Sequence, residues 1–194
     1  MSTPLQLTFV TSAADVRDLP PTRAEVAFAG RSNVGKTSLL NALANRKALA
    51  KVSGKPGRTQ LLNVFATEDG ATLVDLPGYG YASTASKRTR AAWQSRMQRY
   101  LIERVGLLRT FLLIDGEVGP TRLDAEMLEW LRVNDVPFSI VATKHDKVRS
   151  AKRQRRRRDL AAGCGVEPGD VLWVSAERNV GIDQLRSVIR ATLG

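Results

Sequence analysis

Eight residues near the start of the chain, Gly30-Arg31-Ser32-Asn33-Val34-Gly35-Lys36-Thr37, carry the spacing G-x-x-x-x-G-K-[ST]. The chemistry of that spacing is the holding of phosphate. Successive N–H groups and the positive end of a following helix converge on one concavity, and two glycines let the backbone turn closely around it. Lys36 adds a point charge at the terminal phosphates, and the Thr37 hydroxyl suits a place in the coordination shell of Mg²⁺, with Ser38 next in the helix. The pattern has meaning only between a strand and a helix. Here Glu25 to Ala29 supplies the strand and a helical pattern begins near Gly35, so the stretch predicts a nucleoside triphosphate site.

Three further groups follow apolar runs. Asp75-Leu76-Pro77-Gly78 offers a carboxylate that can bind Mg²⁺ through water and a Gly78 N–H that can reach a third phosphate, a hydrogen bond that hydrolysis would remove. Thr59 adds a hydroxyl able to complete the Mg²⁺ shell while that phosphate is present. Thr143-Lys144-His145-Asp146 carries the groups that name a base. A carboxylate at Asp146 accepts from both N1–H and the exocyclic amine of guanine, whereas adenine would leave it unpaired, a discrimination on the order of 10⁴. Lys144 can lie along the purine face. His145 is expected to fill the loop, since phosphoryl transfer needs no proton carrier at the base. Ser175-Ala176 can give backbone N–H to the guanine carbonyl. GTP and GDP are therefore the expected ligands, with Mg²⁺.

Positioning these groups takes a sheet whose strands all end on one side. Apolar strand runs at Glu25 to Ala29, Leu61 to Thr67, Ala71 to Asp75, Phe111 to Asp115, Phe138 to Ala142 and Val171 to Val174 alternate with helical patterns at Ser38 to Lys47, Ser86 to Arg104, Leu123 to Val133, Ser150 to Ala162 and Ile182 to Leu193. This is an α/β pattern, a mostly parallel sheet covered on both faces, in which ligands lie beyond the carboxyl ends of the strands. Asp69-Gly70 marks a hairpin and so one antiparallel edge strand. Residues 1–23, with a short alternating segment from Leu5 to Val10 and Pro20-Pro21, are expected as an extension carrying an edge strand, and 24–194 as the domain proper. Val52 to Gln60, with Gly54, Pro56 and Gly57, has the composition of a loop. In the Ser86 to Arg104 helix, Trp93, Met97, Tyr100 and Leu101 form the apolar stripe, with Arg88, Arg96, Arg99 and Arg104 largely off it.

Composition narrows the classes. The chain has 194 residues, enough for one core without disulfides, and its single Cys164, between two glycines, excludes a disulfide framework and is expected as a small residue in a turn. No apolar run approaches the roughly 20 residues of a membrane span, and no basic-then-apolar leader opens the chain, so a cytoplasmic protein is expected. The net charge of +11 points to an anionic partner. Its densest part, Lys152 to Arg158, includes Arg153, Arg155, Arg156, Arg157 and Arg158. Like charges at i, i+4 weaken an isolated helix, so RNA phosphate is the expected partner of this run, read by backbone and shape.

Taken together and in this order, GRSNVGKT, DLPG, TKHD and SA resemble the small Ras-like G domains of the TrmE–Era–EngA–EngB–Septin group. Pro56-Gly57-Arg58-Thr59-Gln60, the run Asp75 to Ala82 (DLPGYGYA) and a Thr opening the base motif are similar to EngB/YsxC-type GTPases of large-subunit ribosome assembly. The resemblance spans about Thr8 to near the C-terminus. It implies a three-layer P-loop NTPase fold, nucleotide contacts from Gly57 and Arg58 as well, slow GTP hydrolysis, and a switch role in large-subunit assembly, hence in cell growth and division. The partner implied is ribosomal RNA or a precursor particle, engaged by a monomer. An RNA-binding assembly factor with largely structural GTP remains the alternative; a small-metabolite kinase fits less well, because Asp146 and Asp75 to Gly78 specify a base and a γ-phosphate sensor. Where Ras-type enzymes carry a water-orienting Gln, this chain has Tyr79, which cannot orient water as an amide does. Relatives with a hydrophobic residue there include enzymes that bind K⁺ through a phosphate-loop Asn, and Asn33 stands at that place; an Asn kept for its own turn is the other reading. Thr143 in place of Asn is expected to remove one amide tether.

Overall fold

The structure, a computed structural model, describes residues 2–49, 61–80 and 87–194, and omits the side chains of residues 87–91 and 93. Gly57, Arg58, Thr59, the end of the Asp75 to Ala82 run and the side chains of Arg88, Arg90 and Trp93 lie outside the described residues.

Among the described residues seven strands form one sheet: β1 (Thr8–Ala13), β2 (Glu25–Gly30), β3 (Leu62–Ala66), β4 (Thr72–Asp75), β5 (Leu107–Asp115), β6 (Phe138–Thr143) and β7 (Val171–Trp173), in the order β1-β3-β4-β2-β5-β6-β7. From β4 through β7 every pairing is parallel, and the antiparallel pairings are confined to the β1-β3-β4 side. The expected mostly parallel α/β sheet is therefore present. Thr67 and Ala71 close the β3–β4 hairpin, Thr67 N–H donating to the Ala71 carbonyl at 2.8 Å.

Strand side chains alternate between two cores because the period of a strand is two. Val26 and Phe28 of β2 face helices α1 (Lys36–Ala44) and α5 (Ile182–Leu193), where Leu39, Leu40, Leu43, Leu185 and Ile189 are buried. Ala27 and Ala29 face α2 (Lys87–Glu103), α3 (Arg122–Val133) and α4 (Arg153–Cys164), packing with Met97, Tyr100, Leu128 and Leu160. The Leu5 to Val10 strand is displaced: Leu5 and Leu7 are buried among α1 and α5, and pairing starts only at Thr8. Alternation at Leu5 and Leu7 thus marks burial against a helical layer, while Thr8 to Val10 open the expected edge strand beside β3. Cys164 is likewise no turn residue. It ends α4 in the core, and burial pushes its thiol up to about 11.

Arg104, expected off the packed stripe, turns inward. Glu25, with no exposed surface at the start of β2, accepts from Arg104 Nε at 2.8 Å and Nη2 at 3.0 Å, from the Tyr100 hydroxyl at 2.8 Å and from Thr72 Oγ1 at 2.6 Å. A buried carboxylate tolerates this place only because its lone pairs are filled and its charge is matched. Replacing Arg104 by Met would leave the charge uncompensated, and urea unfolding should show a loss of about 3 kcal/mol. A change within about 0.5 kcal/mol would mean the pair contributes nothing net.

Candidate functional site

The carboxyl ends of β2, β4, β5, β6 and β7 bring those of the predicted groups that are described to one edge of the sheet. β2 ends at Gly30 and α1 starts at Lys36, so the phosphate loop is the strand-to-helix turn that its spacing requires. Asn33 (φ +63°) and Gly35 (φ +105°) both take left-handed backbone, which folds the loop into a concavity. Asn tolerates that conformation better than most side chains, so the turn alone accounts for Asn33. No side chain caps α1 at Gly35, and the first-turn N–H groups from Gly35 to Ser38 precede the first helical bond, from Leu39 N–H to the Gly35 carbonyl at 2.9 Å.

Two loop residues differ from expectation. Ser32 N–H donates to the Tyr79 carbonyl at 3.0 Å, and Val34, almost wholly buried, donates its N–H to the Arg31 carbonyl at 3.2 Å. Their amides brace the loop, so neither faces a phosphate in this conformation. The Arg31 side chain also turns away, its Nε donating to Asp124 Oδ2 at 3.0 Å.

Asp75, at the end of β4, is 3% exposed, and among the described residues its Oδ1 has no hydrogen-bond partner. Burial pushes its carboxyl up to about 6, with Lys36 pulling the other way; desolvation likewise lowers Lys36, against the pull of Asp75. An orphaned buried carboxylate oxygen beside a desolvated ammonium is a donor set that fits a hard cation and phosphate oxygens. Gly78 lies so close to the loop that an added Cβ would stand 3.0 Å from Ser32 N and Cα.

The base motif closes the other end. Lys144 (φ +55°) sends Nζ to Asp115 Oδ2 at 2.7 Å, and Asp115 Oδ1 accepts from the N–H groups of Glu117 and Val118. Asp115 was missed in the sequence, although its place at the end of β5 was a usable signal. Asp146 Oδ1 accepts from Ser175 Oγ at 2.5 Å, which fixes the carboxylate and leaves it acceptor sites, since an ionised carboxylate has about four. Ser175 thus belongs to the site through its side chain. Its N–H is donated to the Val180 carbonyl at 2.9 Å, so the expected backbone contact to a base falls to Ala176 alone. The Thr143 hydroxyl donates to the Val34 carbonyl at 2.7 Å, with Ile114 as a weaker alternative at 3.3 Å. A tether to the phosphate loop therefore survives the change from Asn. His145 is buried edge-on against Trp173, ring centroids 5.6 Å apart, and burial with Arg153 and Arg157 lowers its pKa, in keeping with a neutral filler.

The basic run begins α4 beside this end. Arg153 Nε donates to the Val148 carbonyl at 3.2 Å, Arg156 Nη1 to the Val118 carbonyl at 3.4 Å, and Arg157 lies over Trp173. Part of the run is thus spent on packing, while Arg155, Arg157 and Arg158 are exposed. Among the described residues no group of three or more His, Cys, Asp and Glu side chains is placed to hold a metal by itself, and no helix is long and apolar enough to cross a membrane.

The family model described as 50S ribosome-binding GTPase matches residues 25–144. A probable GTP-binding protein EngB of Pelotomaculum thermopropionicum is 44% identical over 190 residues, covering 96% of this chain and 94% of that one. Its counterpart in Desulforapulum autotrophicum is 46% identical over 161 residues, covering 83% and 82%. Among solved structures, a probable GTP-binding protein engB superposes with a TM-score of 0.71 at 23% identity, over 88% of this chain and 98% of that one. A single-residue variant of Era from Aquifex aeolicus superposes at 0.68 and 22% identity, over 88% and 56%; both likenesses speak to the fold.

Asp75 makes stability pH-dependent in nucleotide-free, Mg²⁺-free protein. With its folded pKa near 6 against an ordinary 3.8, the stability it contributes is full below pH 3.8 and lost as pH rises through 6, on the order of 3 kcal/mol. Asp75→Asn should remove that part of the slope in urea unfolding between pH 4 and 6.5. An identical slope in both proteins would contradict the assignment.

Proposed function

Since this chain belongs to the EngB family of GTP-binding, GTP-hydrolysing proteins, we propose that it is a slow GTPase switch that docks on ribosomal RNA of the large subunit or its precursor in the GTP state and leaves after hydrolysis. The observation that carries the nucleotide part is the convergence of the phosphate loop, the orphaned Asp75 and the Ser175-braced Asp146 at one edge of the sheet. In this reading the N–H groups of Asn33 and of Gly35 to Ser38 hold phosphate oxygens, and Lys36 neutralises the charge that develops on them. Thr37 and, through water, Asp75 would hold Mg²⁺, with Thr59 completing the shell; bound there, the ion would supply charge neutralisation on the terminal phosphates. Gly57 and Arg58 join from the same segment as Thr59. Gly78 N–H senses the third phosphate. Asp146 selects guanine, Ala176 N–H meets its carbonyl, and Lys144, anchored by Asp115, lies along its face.

Turnover is slow in this account because the Tyr79 hydroxyl donates to Asp124 at 2.8 Å and orients no water. A K⁺ ion beside Asn33 would offset that deficit by stabilising developing charge. Docking draws on the exposed arginines of α4, Arg155, Arg157 and Arg158, with Arg153 and Arg156 adding charge from their packed positions. The description of the matching family as ribosome-binding supports the choice of partner.

One set of measurements tests the reading. Single-turnover hydrolysis should be faster in KCl than in NaCl, and faster again when large-subunit particles are added. Protein loaded with a non-hydrolysable GTP analogue should sediment with those particles, GDP-loaded protein should not, and neutralising Arg155 to Arg158 should weaken retention and its salt dependence. Equal rates in the two salts remove the K⁺ role. Retention that ignores the nucleotide, with hydrolysis unmoved by particles, would leave a GTP that is only structural.

A further inference from the structure

Asp124, in the first turn of α3, has no exposed surface. Its Oδ2 accepts from Thr121 N–H at 2.8 Å, the bond by which the N3 acid of a capping box meets the N-cap amide, and from Thr121 Oγ1 at 2.8 Å. Two more bonds come from outside the helix, and a capping box needs neither. Arg31 Nε of the phosphate loop donates to Oδ2 at 3.0 Å, and the Tyr79 hydroxyl donates to Oδ1 at 2.8 Å. A buried carboxylate that gathers a cation and a phenol from two other segments is costly to open, because any group left behind is buried and unpaired.

What Asp124 gathers is the junction of the phosphate loop and the Asp75 to Gly78 motif. Arg31 and Tyr79 form a parallel bridge beyond the ends of β2 and β4. Tyr79 N–H donates to the Gly30 carbonyl at 3.3 Å, and its carbonyl accepts from Ser32 N–H at 3.0 Å. Tyr79 is thus held by its N–H, its carbonyl and its hydroxyl at once. Gly78, one residue earlier, lies so close to Ser32 that a side chain there would have to push the loop backbone away. One residue later, Gly80 lies against Leu123 of α3. Burial and the Asp124 charge push the Tyr79 phenol well above its ordinary pKa, so it remains a donor.

We propose that Asp124 is a positioning residue for GTP hydrolysis: through Tyr79 and Arg31 it holds Gly78 against the phosphate loop, set for the third phosphate, and it links any displacement of Gly78 to the start of α3. The inference rests on the reading of Gly78 as the γ-phosphate contact. It gives Tyr79 a task that a water-orienting amide does not have, which is to place the backbone next to it.

The test compares single-turnover GTP hydrolysis and GDP affinity in Tyr79→Phe, Asp124→Asn, the double variant and Gly78→Ala. Tyr79→Phe, which deletes one hydroxyl, and Asp124→Asn should each slow hydrolysis roughly ten- to a hundredfold, as a misplaced contact does, with GDP affinity within about twofold. The double variant should be no slower than the slower single, because both break the same connection. A fall in hydrolysis matched by an equal fall in GDP affinity indicates a structural role only and overturns the proposal. So does wild-type hydrolysis by Tyr79→Phe, which decides the matter even where Asp124→Asn does not fold. Gly78→Ala separates the two layers. If it is slow while the Tyr79 and Asp124 variants are normal, only the Asp124 proposal fails; if it hydrolyses normally, the reading of Gly78 fails and the proposal with it.

Discussion

Asp75, at the carboxyl end of β4, and Lys36, in the first turn of α1 beyond the end of β2, are two charged groups taken out of water, and among the described residues no hydrogen bond to the carboxylate oxygen Oδ1 offsets that. Such a place is unfavourable for the empty protein and would become favourable if phosphate oxygens and a divalent cation entered it, as the proposed function requires. The rest of the sheet makes the cost tolerable. At the opposite ends of the same two strands, Glu25 is equally buried yet fully supplied with donors by Arg104, Tyr100 and Thr72. One end of β2 and β4 is closed for stability; the other is left open for a ligand.

The openness is local. At the base end three side chains are braced: Lys144 by Asp115, Asp146 by Ser175, and Thr143 by the Val34 carbonyl of the phosphate loop itself. That last bond joins the two halves of the site, so the strand carrying the base motif and the loop carrying the phosphate contacts keep a fixed relation. Asp124 does the same on the other side, tying Arg31 and Tyr79 to α3. The phosphate loop is therefore clamped between a threonine hydroxyl and a buried carboxylate, while its first-turn amides stay available.

Much of this was legible in the sequence because motif and period agreed. The phosphate loop lay between a strand and a helix, and Asp75 and Asp146 followed apolar strand runs, so the α/β sheet and the strand-end position of each group were foreseeable from local pattern. What escaped depends on contacts between distant segments. Asp124 stands in the helical run Leu123 to Val133 with no motif to mark it, and only the fold brings Arg31 and Tyr79 to it. Arg104 sat off the apolar stripe by helical period, yet Glu25 lies 79 residues away in sequence and draws it inward. Leu5 and Leu7 alternated like strand residues but are used by α1 and α5. The Ser175 amide was a reasonable donor until Val180 was found to accept it.

The claim on which the account stands is that Asp146, fixed by Ser175, selects guanine. Competition binding of GTP and xanthosine triphosphate to the Asp146→Asn protein tests it most directly. A side-chain amide should meet the base with the donor and acceptor pattern that xanthine matches and guanine does not, so preference should shift to the xanthine nucleotide by several orders of magnitude relative to the native protein. Retained preference for GTP would contradict the base assignment.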